Sequence, residues 1–290
     1  MNGLYLGTRP TSEPYLSGDT FRKYCDHTID IKSPNFDPRK VEKGDIIFLS
    51  NVNYDIEPST CIKKFFNDYA PLIKNPYILV THNSDLNITE QFIPYLESAN
   101  LFVWFAQNVG FSHPKLKHIP IGLENALWGR NYVGILNNIK ASGKNHEKKY
   151  LLYMNFNPAT NARERRPAYD CFKGKDFCHV TSGMSTEGYL WDVAQAKFVV
   201  SPHGNGLDCH RTWEALYLGV IPVVKKSSLD PLYEDLPVLI VNDWHEVTRE
   251  FLEAKYVQMM STPYKLEKLY MPYWQEVFIN ILAKDSRSCR

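Results

Sequence analysis

Along the chain, short runs of consecutive apolar residues, many of them β-branched, alternate with longer segments whose apolar positions recur at helical spacing. A run that is apolar throughout, and not at every second position, predicts a strand buried on both faces, as in a parallel sheet covered by helices. Such runs span Asp45–Ser50, Tyr77–Thr81, Leu101–Phe105 and His118–Ile121 in the first half, and Tyr150–Phe156, Phe177–Val180, Lys197–Ser201, Ile221–Val224 and Val238–Val241 in the second. Pro120 predicts an edge position for the fourth run. Helical patterns start at Ser59, through Cys61, Phe65, Phe66 and Tyr69, and at Ser185, through Tyr189, Leu190 and Val193. A third starts at Asp208, a suitable N-cap, and places Trp213, Leu216 and Tyr217 on one face before Gly219 ends it. The last helical stretch begins at Pro263 and is interrupted at Pro272, which predicts a kink. Residues 1–44 are irregular, with Ser17, Gly18 and Asp19 opening a short helix. The fold class this predicts is α/β.

At 290 residues the chain is long enough for two domains, each with its own core. Apolar character fades between Asn131 and Lys149, and SGKNHEKK is the most linker-like stretch. The boundary is therefore expected near residue 143, giving domains 1–143 and 144–290.

The densest chemistry lies in Lys197–Val224, where a buried strand runs into Ser201-Pro202-His203-Gly204-Asn205-Gly206, then a helix, then a second strand. In such a βαβ unit, backbone N–H groups of the glycine turn and the helix N-terminus converge at the carboxyl edge of the sheet and suit an anion. Arg211 and Glu214 are three residues apart on one helix face, so a cation that grips phosphate lies a turn from a carboxylate that accepts hydroxyl hydrogen bonds. Phosphate beside a vicinal diol describes a nucleotide. The plainer alternative is a solvated ion pair between the same two residues.

The succession of a hydrophobic strand, SPHGNG, DCHRTWEAL and GVIPVV resembles the donor-binding half of the exostosin-like glycosyltransferases. Upstream, THNSD, WFAQN and IPIGLEN are similar to strings in the small exostosin-like enzymes of large algal (chlorella) viruses, some of which are xylosyltransferases. The resemblance covers most of the chain and is dense in these strings. It implies the GT-B architecture, two Rossmann-like domains with parallel sheets facing across a cleft. The first domain would bind the acceptor and the second the nucleotide sugar, with the last helix, about 263–285, crossing back to the first; a helix packed only on the second is the alternative. By the same resemblance Arg211 and Glu214 take the donor diphosphate and ribose. The donor is then a UDP-sugar, UDP-xylose being favoured, and the acceptor a glycan hydroxyl.

Transfer of this kind needs the leaving diphosphate stabilised, which glycine-turn amides, helix N-termini and arginines do without a metal. The donor-binding candidates are His203, Gly204, Asn205, Gly206, Arg211 and Glu214, joined by Arg163 or Arg166 from the ARERR cluster and by Ser182 past the strand Phe177–Val180. The acceptor hydroxyl needs a general base. Asp85, just past a strand in THNSD, is the first candidate, with His82 orienting it or serving in its place; Asp19 and Glu124 are alternatives. Arg22, Trp104, Gln107, Asn108 and Glu124 are candidates for acceptor contacts, with structural roles open for each.

A net charge of +1 and no dense basic block speak against a nucleic-acid or anionic-membrane partner. No signal-like or membrane-spanning apolar run is present, so a cytoplasmic location is expected, the host cytoplasm if the chain is viral. Here the chain departs from animal exostosins, which are anchored in the Golgi membrane. The six cysteines show no CxxC and read as reduced thiols. No metal site is expected: there is no DxD after a strand, and His210 and Glu214, at i,i+4 spacing, lack a third ligand. A Cys209–His210 dyad fails because adjacent helical residues point apart. The rival to an enzyme is a non-catalytic nucleotide- or carbohydrate-binding protein that keeps the same shell. Nothing in the sequence indicates an oligomeric state.

Overall fold

The computed structural model describes residues 9–30, 36–50, 57–142 and 147–288. The chain is α/β and divides into two compact units, one formed by Met1–Ile121 with Tyr270–Arg290 and the other by Gly122–Leu269. The boundary expected near residue 143 falls on residues 143–146, outside the described residues.

The first unit runs α1 (Gly18–Lys23), β1 (His27–Ile29), β2 (Ile46–Ser50), α2 (Pro58–Lys64), β3 (Tyr77–His82), α3 (Ile93–Leu96), β4 (Leu101–Ala106) and β5 (Leu116–His118). Its strands form one parallel sheet in the order β1-β2-β3-β4-β5. Ser17, in the stretch expected to open this helix, caps α1 by accepting from the Thr20 N–H, and Asp19 lies in its first turn. The strand β1 was not expected, because three half-buried residues make no apolar run. Edge strand β5 lies earlier than the predicted His118–Ile121, so Pro120 follows it and costs the ladder nothing.

Each strand here lies beside its predecessor on the same side. With right-handed crossovers, that order puts every connection on one face of the sheet. On that face Ile47, Leu49, Leu79 and Trp104 pack with Ile62, Phe65, Phe66 and Phe92. The alternate residues Phe48, Ile78, Val80 and Phe105 point to the other face and are equally buried, although no crossover reaches them.

The second unit runs α4 (Tyr132–Ala141), β6 (Tyr150–Met154), α5 (Ala162–Phe172), β7 (Cys178–Val180), α6 (Thr186–Ala194), β8 (Ala196–Val200), α7 (His210–Tyr217), β9 (Ile221–Lys225), α8 (Asp230–Tyr233), β10 (Leu239–Val241) and α9 (Arg249–Met260). Its parallel sheet has the order β10-β9-β8-β6-β7. The chain steps from β6 to β7 in one direction, then returns past β6 to β8 and continues the other way. Both faces are therefore covered. Met154, Val200 and Val223 pack with Ala168, Phe172 and Leu252 on one side, and Tyr153 and Val199 with Val193 and Ala215 on the other. Where the direction reverses, between β6 and β8, the crossovers leave opposite faces and open a crevice at the carboxyl ends of the two strands.

The bare face of the first unit is covered from both ends of the chain. The C-terminal helix α10 (Met271–Ser288) sets Phe278 edge-on against Phe105, ring centroids 4.8 Å apart, and Trp274 against Phe21 of α1 at 6.0 Å. Phe21 in turn lies 5.7 Å from the His82 ring. Pro272 does not kink this helix: a 3₁₀ turn ends at Leu269, and Pro272 is the second residue of α10, where a missing N–H breaks no bond.

If α10 is the cover of this sheet, Phe278→Ala should destabilise the first unit by about 3–5 kcal/mol, the usual cost of deleting a buried aromatic ring. Urea unfolding followed by tryptophan fluorescence measures it. An unchanged midpoint would mean that the sheet face does not depend on α10.

Candidate functional site

The crevice between β6 and β8 is lined by two strand exits, Asn155-Phe156-Asn157 after β6 and Ser201 to Cys209 after β8. The second exit leads into α7, whose first residue is His210 and whose cap position is held by Cys209. Asp208, the expected cap, does something else. It is buried, and its carboxylate accepts from Trp213 Nε1 at 2.8 and 3.0 Å, from the Tyr233 hydroxyl at 3.3 Å and from the Cys209 N–H at 2.9 Å. These bonds pin the turn to the underside of its own helix. Ser201 and Thr212 share a hydroxyl hydrogen bond of 2.9 Å that does the same from the strand end.

Two arginines occupy the crevice. Arg165 on α5 is 9% exposed; its Nε donates to the His203 carbonyl at 3.0 Å and its Nη1 to the Asn157 carbonyl at 3.2 Å, so one guanidinium joins both strand exits. Arg211 on α7 donates Nε to the Asn155 carbonyl at 3.1 Å, and its Nη1 is buried without a hydrogen-bond partner. Both guanidiniums lie over the ring of Phe156, at 5.8 and 5.4 Å from its centroid. The ion pairs of the second unit lie elsewhere, and among the described residues no carboxylate neutralises either arginine. Burial, and then the like charge of Arg211, push the Arg165 guanidinium below its ordinary pKa. Two like charges, one buried and one half-buried, thus lie over one ring without a carboxylate between them.

The backbone around them is arranged to match. Asn161 caps α5 by accepting from the Glu164 N–H, and its Nδ2 donates to the Gly204 carbonyl at 2.7 Å, tying the N-terminus of α5 to the glycine turn. The Gly204 N–H donates to Gly206 at 3.1 Å. A Cβ on Gly204 would sit 2.9 Å from Arg165 Nη2 and 3.3 Å from Cys209 Sγ, so glycine is what lets Arg165 reach the turn. His203 is half-buried, and burial lowers its imidazole pKa. The N-termini of α5 and α7 add partial positive charge to the same crevice.

Glu214, one turn from Arg211, is buried and does not pair with it. Its Oε2 accepts the Tyr189 hydroxyl at 2.7 Å. Glu124 belongs to the second unit, where it meets Arg130 at 3.3 Å. His210 Nδ1 lies 2.8 Å from the Gly122 carbonyl. Asn205, Ser182, Arg163 and Arg166 are exposed. The arginine of the ARERR cluster that enters the crevice is therefore Arg165. It shares a buried face with Ala168 and Phe172, three and seven residues on, and that periodicity was the signal available for it.

In the first unit Asp19, His82, Gln107 and Asn108 gather around the ends of β3 and β4, while Arg22 and Trp104 are engaged elsewhere. Asp85 is exposed and makes no side-chain hydrogen bond or ion pair among the described residues. Both nitrogens of His82 are engaged: Nδ1 accepts from the Asn83 N–H at 2.7 Å, which leaves Nε2 to donate to the Pro120 carbonyl at 3.0 Å. Asp19 is buried against Arg9 at 3.2 Å and Asn83 at 3.4 Å, and burial raises its carboxyl pKa despite Arg9. Arg22 pairs with Asp30 at 2.8 Å. Trp104 lies in the core with its indole N–H on Thr81 at 2.9 Å, so no ring face is left for a sugar. Asn108 adopts the left-handed conformation and donates to the Ser84 carbonyl at 3.2 Å. Gln107 differs: it is 4% exposed, and its Oε1 is buried with no partner at the carboxyl end of β4.

Among the described residues no group of three His, Cys, Asp or Glu side chains is placed to hold a metal ion, and no helix is long and apolar enough to cross a membrane.

The geometry defines an α/β unit with two arginines and a glycine turn at the reversal point of its parallel sheet. No family model matches the sequence, and no curated protein does. A crystal structure of an α1,3-fucosyltransferase with GDP-fucose is similar to this chain at a TM-score of 0.44 and 12% identity, over 85% of this chain and 79% of that one. A likeness of that size carries nothing of the fucosyltransferase's chemistry to this chain.

Gly204→Ala should displace Arg165 without unfolding the unit, because the obstructing atom is the end of a side chain. Affinity for inorganic pyrophosphate, measured by calorimetry, should fall by about 1.5–3 kcal/mol, the worth of a charged hydrogen bond. Undiminished affinity would show that the anion does not sit between Gly204 and Arg165.

Proposed function

We propose that the chain is an inverting glycosyltransferase of GT-B architecture that moves a sugar, xylose by resemblance, from a UDP-sugar to a hydroxyl of a glycan. The observation that carries this reading is the pair of guanidiniums held over Phe156 at the sheet's reversal point with no carboxylate to neutralise them: Arg165, which is buried, and Arg211, which is half-buried with its Nη1 enclosed and unpartnered. A diphosphate supplies the missing charge, and Glu214, a turn away, supplies the acceptor for ribose hydroxyls. The exostosin-like string DCHRTWEAL contains Arg211 and Glu214, and SPHGNG contains His203, whose carbonyl accepts from Arg165.

In this reading the second unit holds the donor. As the bond between the anomeric carbon and the diphosphate breaks, negative charge grows on the leaving oxygen. The two arginines, the glycine-turn amides and the N-termini of α5 and α7 meet that charge with groups already in place, so no divalent ion is needed. The first unit supplies the acceptor side. Asp85 takes the proton of the attacking hydroxyl: it alone of the candidate bases there is exposed, whereas His82 has both nitrogens engaged and Asp19 is buried against Arg9. Gln107, with its unpartnered carbonyl oxygen, contacts the acceptor.

A second reading, a binding protein that keeps the donor site and transfers nothing, draws on the same facts: of four candidate bases, His82, Asp19 and Glu124 are engaged by other groups in the structure. One measurement tests both readings together and a second separates them. Arg165→Ala and Arg211→Ala should each weaken UDP binding by about 1.5–3 kcal/mol under either reading. Equal affinity in calorimetry would remove both.

Turnover of UDP-xylose, by transfer or by slow hydrolysis, distinguishes the enzyme. Asp85→Asn should then lower kcat by about 10²–10⁴ with UDP affinity nearly unchanged, because leaving-group stabilisation survives the loss of a base. Normal turnover in Asp85→Asn with an inactive Asp19→Asn would move the base to α1.

A further inference from the structure

Glu214 is a buried carboxylate whose hydrogen-bond partner is a hydroxyl and not a cation. The Tyr189 O–H on α6 reaches across to Glu214 Oε2 on α7 at 2.7 Å. Burial and the neighbouring carboxylate hold the Tyr189 phenol well above its ordinary pKa, so it stays a donor over the working pH range. The nearest cation in sequence is Arg211, three residues back on the same helix, at the spacing where a Glu and an Arg ordinarily pair. They do not pair here. Arg211 is held by the Asn155 carbonyl, and Glu214 by Tyr189.

We propose that Tyr189 is a positioning residue that makes this site read ribose. By occupying one lone pair of Oε2 it keeps the carboxylate from swinging to Arg211, and leaves Oε1 and the second lone pair of Oε2 to accept the vicinal hydroxyls of a nucleotide. The inference rests on the nucleotide reading above and adds the residue that sets its ribose specificity.

The surroundings fit this role. The Tyr189 ring lies 6.3 Å from that of Tyr153, and the Tyr153 hydroxyl accepts from Asn155 Nδ2 at 3.2 Å. Asn155 is the residue whose carbonyl holds Arg211, so the two ends of the site share one support. The other groups that act on this carboxylate are Arg130 and Tyr132, and Glu124 lies against the same two. A carboxylate left loose among these charges would have several competing partners. A bound ligand hydroxyl, worth less than a full charge, needs the carboxylate already in place.

The test is calorimetry with UDP and 2′,3′-dideoxy-UDP on the wild-type chain, Tyr189→Phe, Glu214→Gln and the double variant. The wild type should prefer UDP by about tenfold or more, as a site built to bond hydroxyls does. Tyr189→Phe keeps the ring and should reduce that preference to about threefold or less, with the dideoxy ligand showing that the phosphate end still binds. The double variant should match Glu214→Gln in preference, because Tyr189 acts only through the carboxylate. It also leaves no buried charge unpaired, so it reports even if Tyr189→Phe alone does not fold. A tenfold preference that survives Tyr189→Phe, or a double variant clearly less selective than Glu214→Gln, overturns the proposal. Equal wild-type binding of both ligands overturns it while nucleotide binding stands. Failure to bind UDP at all overturns the nucleotide reading with it.

Discussion

The second unit depends on a guanidinium that serves as structure and as charge at once. Arg165 bonds two backbone carbonyls, one from each strand exit at the point where the sheet order reverses. A lysine has no planar fork with which to span them. The bridge fixes the spacing of the crevice, and because carbonyls take up its hydrogen bonds without cancelling its charge, the positive field stays directed at the space between the strands. Glycine at 204 and the Asn161 cap follow from that placement: the first gives the side chain room, and the second brings the N-terminus of α5 to the same turn. An unneutralised buried charge costs stability, and its retention beside a second, half-buried one is what the proposed donor site would explain.

The two units solve different packing problems with the same kind of sheet. In the second, reversal of strand order distributes crossovers over both faces and opens the crevice as a by-product. In the first, the unbroken order β1 to β5 sends all crossovers to one face, so the other must be covered by segments from outside the strand series, α1 and α10. That cover packs against His82 and Asn83 at the end of β3. Gly18 of α1 comes so near that a Cβ there would fall 1.8 Å from Asn83 Oδ1 and 2.6 Å from His82 Nδ1.

Much of this was legible in the sequence, for identifiable reasons. Fully buried strands are apolar throughout, so the runs at 77, 101, 150 and 197 appear in the structure within a few residues of where they were expected. Ser185 and Ser17 cap helices as their hydroxyls suggest. What escaped depends on contacts between distant segments. Asp208 has the composition of a cap, but Trp213 and Tyr233 compete for its oxygens and win. Pro272 looks like a kink until the chain is seen to break before it. Trp104 offers a sugar platform on composition alone, and only Thr81 and the surrounding rings show it to be core. Arg165 was within reach, since its spacing from Ala168 and Phe172 places it inward, whereas Arg163 and Arg166 face solvent.

The charges of the crevice are separated and not paired, and the proposed donor site rests on that separation more than on any one residue. Arg211 and Glu214 on one helix face would ordinarily neutralise each other and leave a featureless surface. Instead each is held by a neutral partner, a carbonyl for the arginine and a phenol for the glutamate. Neutral partners fix position while leaving charge unspent. The crevice thus keeps a positive end, with two guanidiniums and two helix N-termini, and a negative end that accepts hydroxyls about one helical turn, ~5 Å, away. A molecule that matches both ends must carry an anion and a hydroxyl pair at that spacing. Simple phosphate satisfies only one end and a neutral sugar only the other, which is why the ligand proposed for this crevice joins the two.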